Sequence, residues 1–418
     1  MNEKIRVLIV GTVLIGDDDA TGVSMENMLL GSQHIDWYQF CVEYNTKTHV
    51  EIVPTMYLNP KVNFGYYVIK KIYNTCFRGA GGYASSAYTH SKKISLSSIG
   101  RYFLDIIPKH LTKKELNILR EYSPDAIYTM AGSISIIKMC LFLSSKLNIP
   151  IVAHFMDDLE SNIYSNLITA NKKYNKYLQK LFQRSTRGLA ISKKMAEEYT
   201  KRHGLQFGYA MNCVEKPQSS KQKTGSKLIL LFSGGLHGGR NESIRALGEV
   251  ISADAELKNI IRLCVYTSKH DYFQYKESIG DICEFREYVP KDQMFANLRK
   301  ADILVHVESF DINEIEYFRL SLSTKIPEYL SVGKPILCYG PRELNTVQYV
   351  EECGAGVVAS TREELHYVLN KIVLDSGFRE KIEKNCQNTF NKEHLKKIVT
   401  KRIEDVFFDT IKDWEFDE

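Results

Sequence analysis

The sequence has none of the cysteine patterns that mark a zinc-binding or disulfide-bonded protein. Nine cysteines are spread along 418 residues, and no two of them form a C-x-x-C pair or stand near histidines at a zinc-finger spacing. An odd number of separated cysteines, several of them in apolar stretches, predicts buried free thiols in a reducing compartment. The pattern excludes a disulfide scaffold and a cysteine-based zinc site.

Long apolar runs are also missing. The first run, residues 7–15, is short, contains Gly11 and ends in three aspartates instead of a small-residue cleavage site. A later run, residues 134–143, is interrupted by Lys138 and is too short to span a bilayer. The sequence therefore predicts a cytoplasmic protein with at most peripheral contact with the inner face of a membrane.

Charge of one sign is not in large excess, but basic residues are concentrated locally. The net charge of +5 is small for this length, so we predict no nucleic-acid partner. Residues 61–114 contain ten Lys or Arg and one acid, with Tyr and Phe interleaved. Residues 172–187 contain six more basic residues, and the apolar and aromatic residues among them recur near helical spacing. Both stretches suit an anionic membrane surface. The alternatives are a solvated surface insertion and a helix with its apolar stripe in the core.

Buried strands alternate with helices in both halves, which predicts an α/β protein with parallel sheets. The predicted strands include residues 6–10, 126–130, 149–154, 188–192, 228–232, 263–266, 302–307 and 336–339. The polar stretch 215–227, with Pro217 and Gly225, is typical of a linker. We therefore predict an N-terminal domain of residues 1–214 that includes the basic insertion, a C-terminal domain of residues 228–394, and a terminal segment, 395–418.

Two loops of the first half carry candidate functional residues. Residues 11–22 follow the first strand but lack G-x-G-x-x-G, so they indicate close approach to a sugar or phosphate and not a dinucleotide site. Asp17-x-Asp19 formally matches a metal-binding pair, but such a short match is more often a solvated loop, and we predict no metal. His154 and Asp157 stand where a strand is expected to end, and ligands bind at such ends. A structural histidine is the alternative.

A glycine-rich loop of the second half suits phosphate. Gly234 and Gly235 begin the stretch S-G-G-L-H-G-G-R, which directly follows a predicted strand. Its backbone N–H groups can approach phosphate oxygens, and Arg240 at its end supplies a fork of donors. We predict that this loop binds an anion.

The stretch from Ser321 to Pro335, S-L-S-T-K-I-P-E-Y-L-S-V-G-K-P, predicts a short helix that stops at Gly333. Ser323 or Thr324 can cap its first turn. The helix dipole and Lys325 favour an anion at this end, and Glu328, one turn later, suits ribose hydroxyls. The alternative is a capped surface helix with incidental charges.

These blocks, taken in order, resemble the GT-B glycosyltransferases and most closely the large retaining glycosyltransferase family 4. The similar blocks are G-L-A-I-S-K-K-M-A-E-E-Y, M-N-C-V-E, F-S-G-G-L-H-G-G-R, Y-V-P-K-D-Q-M-F-A-N-L-R-K-A-D-I-L-V and S-L-S-T-K-I-P-E-Y-L-S-V-G-K-P-I-L, and they cover most of residues 188–358. The resemblance implies two facing Rossmann-like domains, with a C-terminal helix that returns to the N-terminal domain.

The resemblance also implies roles for individual residues. In the donor domain, Glu328 would hold the ribose, and the amides at Ser323 and Thr324 would meet the diphosphate. Arg240 and Lys325 would stabilise the leaving diphosphate. The remaining donor-binding candidates are Gly234, Gly235, Arg245, Tyr288, Val289 and Pro290, the last three at the nucleobase. In the acceptor domain, His154 would lie near the transferred sugar beside Asp157, and the acceptor-binding candidates are Gly16, Asp19, Thr21 and Gly22.

One position departs from the family's E-x7-E motif. Its first Glu would stand at position 320, which is Leu320. A carboxylate from the preceding loop is the expected substitute, and the candidates are Glu308, Asp311, Glu314 and Glu316.

By resemblance, the chain would transfer a sugar from a nucleotide diphosphate-sugar to a hydroxyl of a glycan, glycolipid or glycopeptide, with retention of configuration. It would need no cofactor beyond that co-substrate, and the setting would be bacterial surface polysaccharide or glycoconjugate synthesis. Three other functions stay open: a nucleotide-sugar 2-epimerase, a non-catalytic partner protein with this fold, and a membrane-surface binding module.

Overall fold

The computed structural model describes residues 4–16, 20–43, 52–77, 96–216 and 227–416. The chain forms two compact units, one of Met1–Met211 with Thr400–Glu418 and one of Asn212–Val399. Most of the predicted linker and residues 78–95 of the basic insertion lie outside the described residues.

The first unit is built on a seven-stranded parallel sheet in the order β3-β2-β1-β4-β5-β6-β7. Its strands are β1 (Ile5–Gly11), β2 (Ile35–Cys41), β3 (Thr55–Tyr57), β4 (Ala126–Thr129), β5 (Ile151–Phe155), β6 (Arg187–Ala190) and β7 (Gln206–Tyr209). Its helices are α1 (Ala20–Leu29), α2 (Phe64–Phe77), α3 (Leu96–Ile106), α4 (Lys113–Tyr122), α5 (Ile134–Leu147), α6 (Leu159–Asn162), α7 (Ile168–Phe182) and α8 (Lys193–His203). The order reverses at β1, which pairs with both β2 and β4. Ligand sites of open α/β sheets lie at the carboxyl ends of the strands beside such a reversal.

The second unit is built on a six-stranded parallel sheet in the order β10-β9-β8-β11-β12-β13. Its strands are β8 (Leu228–Ser233), β9 (Ile261–Thr267), β10 (Glu284–Glu287), β11 (Ile303–Val307), β12 (Ile336–Tyr339) and β13 (Gly356–Ala359). Its helices are α9 (Arg240–Ala253), α10 (Ala255–Ile260), α11 (Lys269–Ile279), α12 (Lys291–Lys300), α13 (Ile312–Phe318), α14 (Lys325–Val332), α15 (Asn345–Glu352), α16 (Arg362–Leu374) and α17 (Ser376–Thr389), followed by a π-helical turn, Phe390–His394. Here the order reverses at β8, which pairs with β9 and β11.

The last helix, α18 (Lys396–Phe416), begins in the second unit and ends in the first. The Phe407 ring is buried edge-on against Trp37, with 5.8 Å between ring centroids. Arg187 of β6 forms an ion pair with Asp413 at 3.0 Å, and the Glu404 carboxylate accepts a hydrogen bond from Ser32 Oγ at 2.6 Å. The predicted return of the C-terminal helix to the first domain is confirmed.

Three features of the described residues bear on earlier predictions. No helix among them is long and apolar enough to cross a membrane. None of their His, Cys, Asp and Glu side chains form a group of three or more that would suit a metal ion. The nine cysteines are free thiols, and six of them are buried.

Candidate functional site

The glycine loop, residues 234–239, connects the end of β8 to the start of α9 at the reversal of the second sheet. Gly238 and Gly239 have φ angles of +67° and +89°, a region that side-chain-bearing residues rarely adopt. The Leu236 amide donates to the buried Asp271 carboxylate at 2.9 Å, which fixes the turn. The helix N-terminus follows directly, so amide groups and the helix dipole are directed at this loop.

Arg240, the first residue of α9, is bound to a carboxylate of its own chain. Its Nε and Nη2 donate to Glu308 Oε2 at 3.1 and 2.8 Å, and the other oxygen of Glu308 lies 2.8 Å from His306 Nε2. The guanidinium also lies over the Phe318 ring, 5.3 Å from its centroid. Burial opposes ionisation of Glu308, but Arg240 and His306 outweigh it and lower its pKa to about 2. The predicted diphosphate-binding cation therefore belongs to a triad in which Glu308 and His306 are buried and the Arg240 side chain is 20% exposed.

Helix α14 starts at Lys325, in the stretch where the sequence predicts a helix, and Gly333 ends it with a left-handed conformation. Thr324 is its N-cap but makes no side-chain capping bond, and the Lys325 amide donates only weakly to Ser323 Oγ at 3.4 Å. One turn on, Lys325 Nζ lies 3.0 Å from Glu328 Oε2. The first turn of α14 therefore has backbone amides and the Lys325 ammonium group available to an anion, and Glu328 binds that ammonium group.

Tyr329 ties α14 to the glycine loop. Its hydroxyl donates to the Val305 carbonyl of β11 at 3.1 Å and accepts from the Ser233 amide at the end of β8 at 3.1 Å. Since the Tyr329 ring is fully buried, these bonds fix α14 relative to the end of β8 and the middle of β11. The two predicted phosphate-binding segments are therefore brought to one edge of the sheet.

Leu320, at the position of the missing Glu, is a buried side chain of the loop before α14. Its carbonyl accepts from Asn345 Nδ2 at 3.3 Å, and the Ser323 amide donates to Thr346 Oγ1 at 3.0 Å. Helix α15 therefore holds this loop in place. Of the carboxylates suggested as substitutes, Glu308 and Glu314 lie beside Arg240 and the glycine loop.

The remaining donor-site candidates differ in placement. Tyr288, Val289 and Pro290 join β10 to α12, and the Tyr288 amide donates to the Thr267 carbonyl at 2.8 Å, at the carboxyl edge of the sheet. Arg245 is exposed and pairs with Glu249 at 3.0 Å, one turn further along α9. Arg245 therefore has a surface partner, whereas Arg240 is the arginine that binds Glu308.

Two predictions on the first unit need correction or restriction. The expectation that His154 stands past a strand end is wrong, because β5 continues to Phe155 and the His154 side chain is 0% exposed. Its Nδ1 is 2.9 Å from Tyr128 Oη, and burial lowers its pKa to about 4, so it is a neutral core histidine. Asp157 lies beyond the strand, but its neighbour Asp158 is the residue that binds Arg202 with both oxygens, at 3.0 and 3.1 Å.

The predicted acceptor loop of the first unit is only partly described. Asp17 and Asp19 lie outside the described residues, so the expectation that this pair binds no metal stays a prediction. Thr21 and Gly22 lie in the first turn of α1, and the Gly16 amide contacts the Gly22 carbonyl at 3.5 Å. This loop follows β1, at the reversal of the first sheet.

Sequence reasoning missed a polar cluster near the end of β2. Glu43 forms an ion pair with Lys70 and accepts from the Tyr66 hydroxyl, and Lys109 lies over the Tyr66 ring at 4.5 Å. Lys109 Nζ also donates to Ser135 Oγ at 3.1 Å, in the first turn of α5. Burial opposes ionisation of Glu43, but Lys70 and Lys109 lower its pKa. The missing signal was three-dimensional, since these residues come from four separate segments.

Two parallel sheets, each with a reversal of strand order, and a last helix that returns to the first unit define the GT-B fold. Several solved structures have this architecture at low sequence identity. The N-terminal domain of Candida albicans trehalose-6-phosphate phosphatase is 10% identical with a TM-score of 0.64, covering 98% of this chain and 97% of that one. Anabaena Alr3699/HepE in complex with UDP is 11% identical with a TM-score of 0.61, covering 97% and 100%. WaaG, a glycosyltransferase involved in lipopolysaccharide biosynthesis, is 11% identical with a TM-score of 0.56, covering 96% and 99%. No protein-family model and no curated protein matches the sequence.

Proposed function

We propose that this chain is a glycosyltransferase that moves a sugar from a nucleotide diphosphate-sugar to a hydroxyl acceptor, with retention of configuration. The observation that carries the proposal is the pair of helix N-termini at one sheet edge, α9 after the glycine loop and α14, with Tyr329 between them. Two such ends suit a ligand with two linked phosphates. HepE, which has the same fold, is described in complex with UDP.

The second unit would hold the donor. Amides of the glycine loop and of α14 bind the diphosphate, with Arg240 and Lys325 as the charges nearest to it, and Glu328 binds the ribose. The backbone of Tyr288 to Pro290 receives the nucleobase. As the bond to the sugar breaks, negative charge grows on the diphosphate, and donors already aimed at it stabilise the transition state. The acceptor hydroxyl attacks from the face that the diphosphate leaves, and a phosphate oxygen takes its proton.

The first unit would hold the acceptor at its own sheet reversal, near Gly16, Thr21 and Gly22. A glycan, glycolipid or glycopeptide in surface polysaccharide or glycoconjugate synthesis is the proposed class. His154 is fully buried beside Tyr128, and its predicted role near the transferred sugar stays a prediction. Asp157 stays a candidate for contact with the sugar.

A non-catalytic role is the second candidate, and a specific observation favours it. Arg240 is paired with Glu308 and Lys325 with Glu328, and Leu320 stands where a carboxylate is expected. A diphosphate must therefore compete with two internal carboxylates. Binding without turnover would support this alternative, and interconversion of nucleotide sugars without an acceptor would identify an epimerase.

We expect the intact chain to be stabilised by the nucleotide that it uses. A ligand at one hundred times its Kd adds about 2.7 kcal/mol to the free energy of unfolding, or roughly 5–10 °C in Tm. The measurement is a thermal-shift series with UDP, GDP, UDP-glucose and GDP-mannose. Donor hydrolysis is then followed for each ligand that raises Tm. No shift with any of the four would remove the donor-site assignment.

The exposed face of α2 supports a membrane-bound acceptor. Phe64, Val68, Ile69 and Ile72 project from one side of this helix with exposures of 69%, 39%, 46% and 58%. On the neighbouring helix α3, Leu96 and Phe103 are 75% and 57% exposed. Lys61 and Lys71 are also exposed here. Apolar side chains next to lysines match the boundary of an anionic bilayer.

We expect Phe64→Asp with Ile72→Asp to abolish binding to vesicles of phosphatidylglycerol and phosphatidylcholine. Each change removes one exposed apolar side chain whose insertion into the bilayer would contribute about 1.5–3 kcal/mol, and adds a charge that the anionic surface repels. Co-sedimentation measures the partition coefficient, which should fall at least a hundredfold. Leu374→Asp, on α16, is the matched control, because Leu374 is 55% exposed but belongs to the other unit. An equal loss in the control, or binding that is unchanged in the double variant, would contradict a role for α2.

A further inference from the structure

Glu314 lies against the glycine loop, where phosphate is proposed to bind. It belongs to α13, a helix that the sequence did not predict. A Cβ placed on Gly238 would lie 2.8 Å from Glu314 Oε2 and 3.0 Å from its Cδ. The carboxyl group therefore occupies the space that a side chain at position 238 would fill, in the turn that precedes α9.

Burial and the neighbouring carboxylates favour the protonated form of Glu314. Burial raises its pKa to about 7, Arg240 opposes that rise, and Asp311 and Glu308 add to it. Arg240 opposes it only partly, because its charge is balanced by the carboxylate of Glu308. His237, also in the glycine loop, has its pKa lowered by burial and by Arg240, so it is neutral near pH 7.

We propose that Glu314 is a proton-dependent contact for the donor diphosphate. The neutral carboxyl group donates a hydrogen bond to a phosphate oxygen at the glycine loop, and the ionised group repels the same oxygen. The inference rests on the proposed donor site and adds a residue that sets its affinity.

Binding of the donor is then linked to uptake of a proton. At pH 7 about half of the Glu314 carboxyl groups are neutral, so each bound ligand takes up about half a proton. Affinity falls about tenfold between pH 6 and pH 8, because the neutral fraction falls by that factor. A diphosphate diester such as UDP-glucose has no group of its own that titrates in this range.

Isothermal titration calorimetry on the full chain tests the proposal with UDP-glucose, GDP-mannose and inorganic pyrophosphate as probes. Wild type should lose about tenfold in affinity from pH 6 to pH 8, and Glu314→Gln should bind equally at both. Two buffers of different ionisation enthalpy give the proton uptake. Glu256→Gln, an exposed residue of α10, is the matched control and should behave as wild type. Pyrophosphate itself titrates near pH 7, so for this probe only the ratio of the wild-type affinity to the variant affinity is compared between the two pH values.

Two results overturn the proposal, and they differ in what they say about the donor site. If a nucleotide sugar binds and the affinity ratio of wild type to Glu314→Gln is the same at both pH values, Glu314 has no such role and the proposed function stands. If no probe binds at either pH, both the role of Glu314 and the proposed donor site fail.

A Tm measurement without ligand tests the protonation of Glu314 independently of the binding data. The folded carboxyl holds its proton up to about pH 7 and the unfolded one only to about pH 4.5, so the Tm of wild type should fall relative to Glu314→Gln between those values. A constant difference also overturns the proposal.

Discussion

Replacement of Glu308 by alanine is expected to lower the free energy of unfolding of the second unit by about 3–5 kcal/mol. The side chain is 5% exposed and is bound by Arg240 and His306. Its removal leaves the Arg240 guanidinium with no carboxylate where water has little access. A loss of this size corresponds to a fall in Tm of roughly 10 °C, measured by thermal unfolding at pH 7.

A series of variants at Glu308 and Arg240 distinguishes the effect of lost charge on Tm from the effect of lost packing. Glu308→Gln keeps the shape and one acceptor and should lose less than Glu308→Ala. The double variant Arg240→Met with Glu308→Leu should recover much of the loss, because no unpaired charge stays buried. A Tm for Glu308→Ala within about one degree of wild type would show that the pair contributes little.

The pH dependence of stability follows from the same carboxylate. Its folded pKa of about 2 lies below the ordinary value of 4.5, so its contribution is complete above pH 4.5 and is lost as pH falls towards 2. Glu308→Gln should lack that part of the acid transition. Equal acid sensitivity of the two proteins would assign the transition to other groups.

Replacement of Lys325 by alanine is expected to lower kcat by about 30- to 1000-fold, which is the range of about 2–4 kcal/mol found for a lost oxyanion donor. In the ligand-free protein Lys325 is held by Glu328 at 3.0 Å, at the first turn of α14. As the leaving diphosphate gains negative charge, Lys325 would exchange the Glu328 carboxylate for phosphate oxygens. This exchange would place the ammonium group beside the charge that it stabilises. The effect should appear in kcat more than in KM.

Stability provides the control for this experiment. Both partners of the Lys325–Glu328 pair are partly exposed, so the pair should add less than about 1 kcal/mol and Tm should change little. Lys381→Ala, an exposed lysine of α17, should leave both kcat and Tm unchanged. Arg240→Ala should lower turnover comparably, but it also leaves Glu308 unpaired and must be compared at temperatures where the variant is folded. Unchanged kinetics in both Lys325→Ala and Arg240→Ala would contradict the assignment of these two residues to stabilisation of the diphosphate.

Features set by neighbouring residues could be read from the sequence. Continuous β-branched runs gave most of the strands, and Gly333 ends α14 where it was expected to do so. The strand β7 was missed, because its residues Gln206–Tyr209 are few and include a glycine. Helix α13 was missed because seven residues in an acidic loop show little periodicity.

Features set by distant residues could not be read in this way. Arg240 and Glu308 are 68 positions apart, so the sequence indicated a free phosphate-binding cation where the fold places an ion pair. The burial of His154 depends on Tyr128 and on the layers of the first unit, and no local pattern distinguishes it from a histidine at a strand end. Composition and spacing therefore indicated which loops lie at this edge of the second sheet, but not the ion pairs between them.

The position of α18 has a consequence for the order in which the chain folds during synthesis. The first unit is translated early, but Phe407, which packs against Trp37, and Glu404, which binds Ser32, come from the last helix. At roughly 5–20 residues per second, the ribosome needs tens of seconds to add the second unit before that helix emerges. During this interval the nascent first unit exposes the apolar surface around Trp37. A chaperone that shields nascent chains would have its longest engagement there, and the second unit, although made later, can complete its core first.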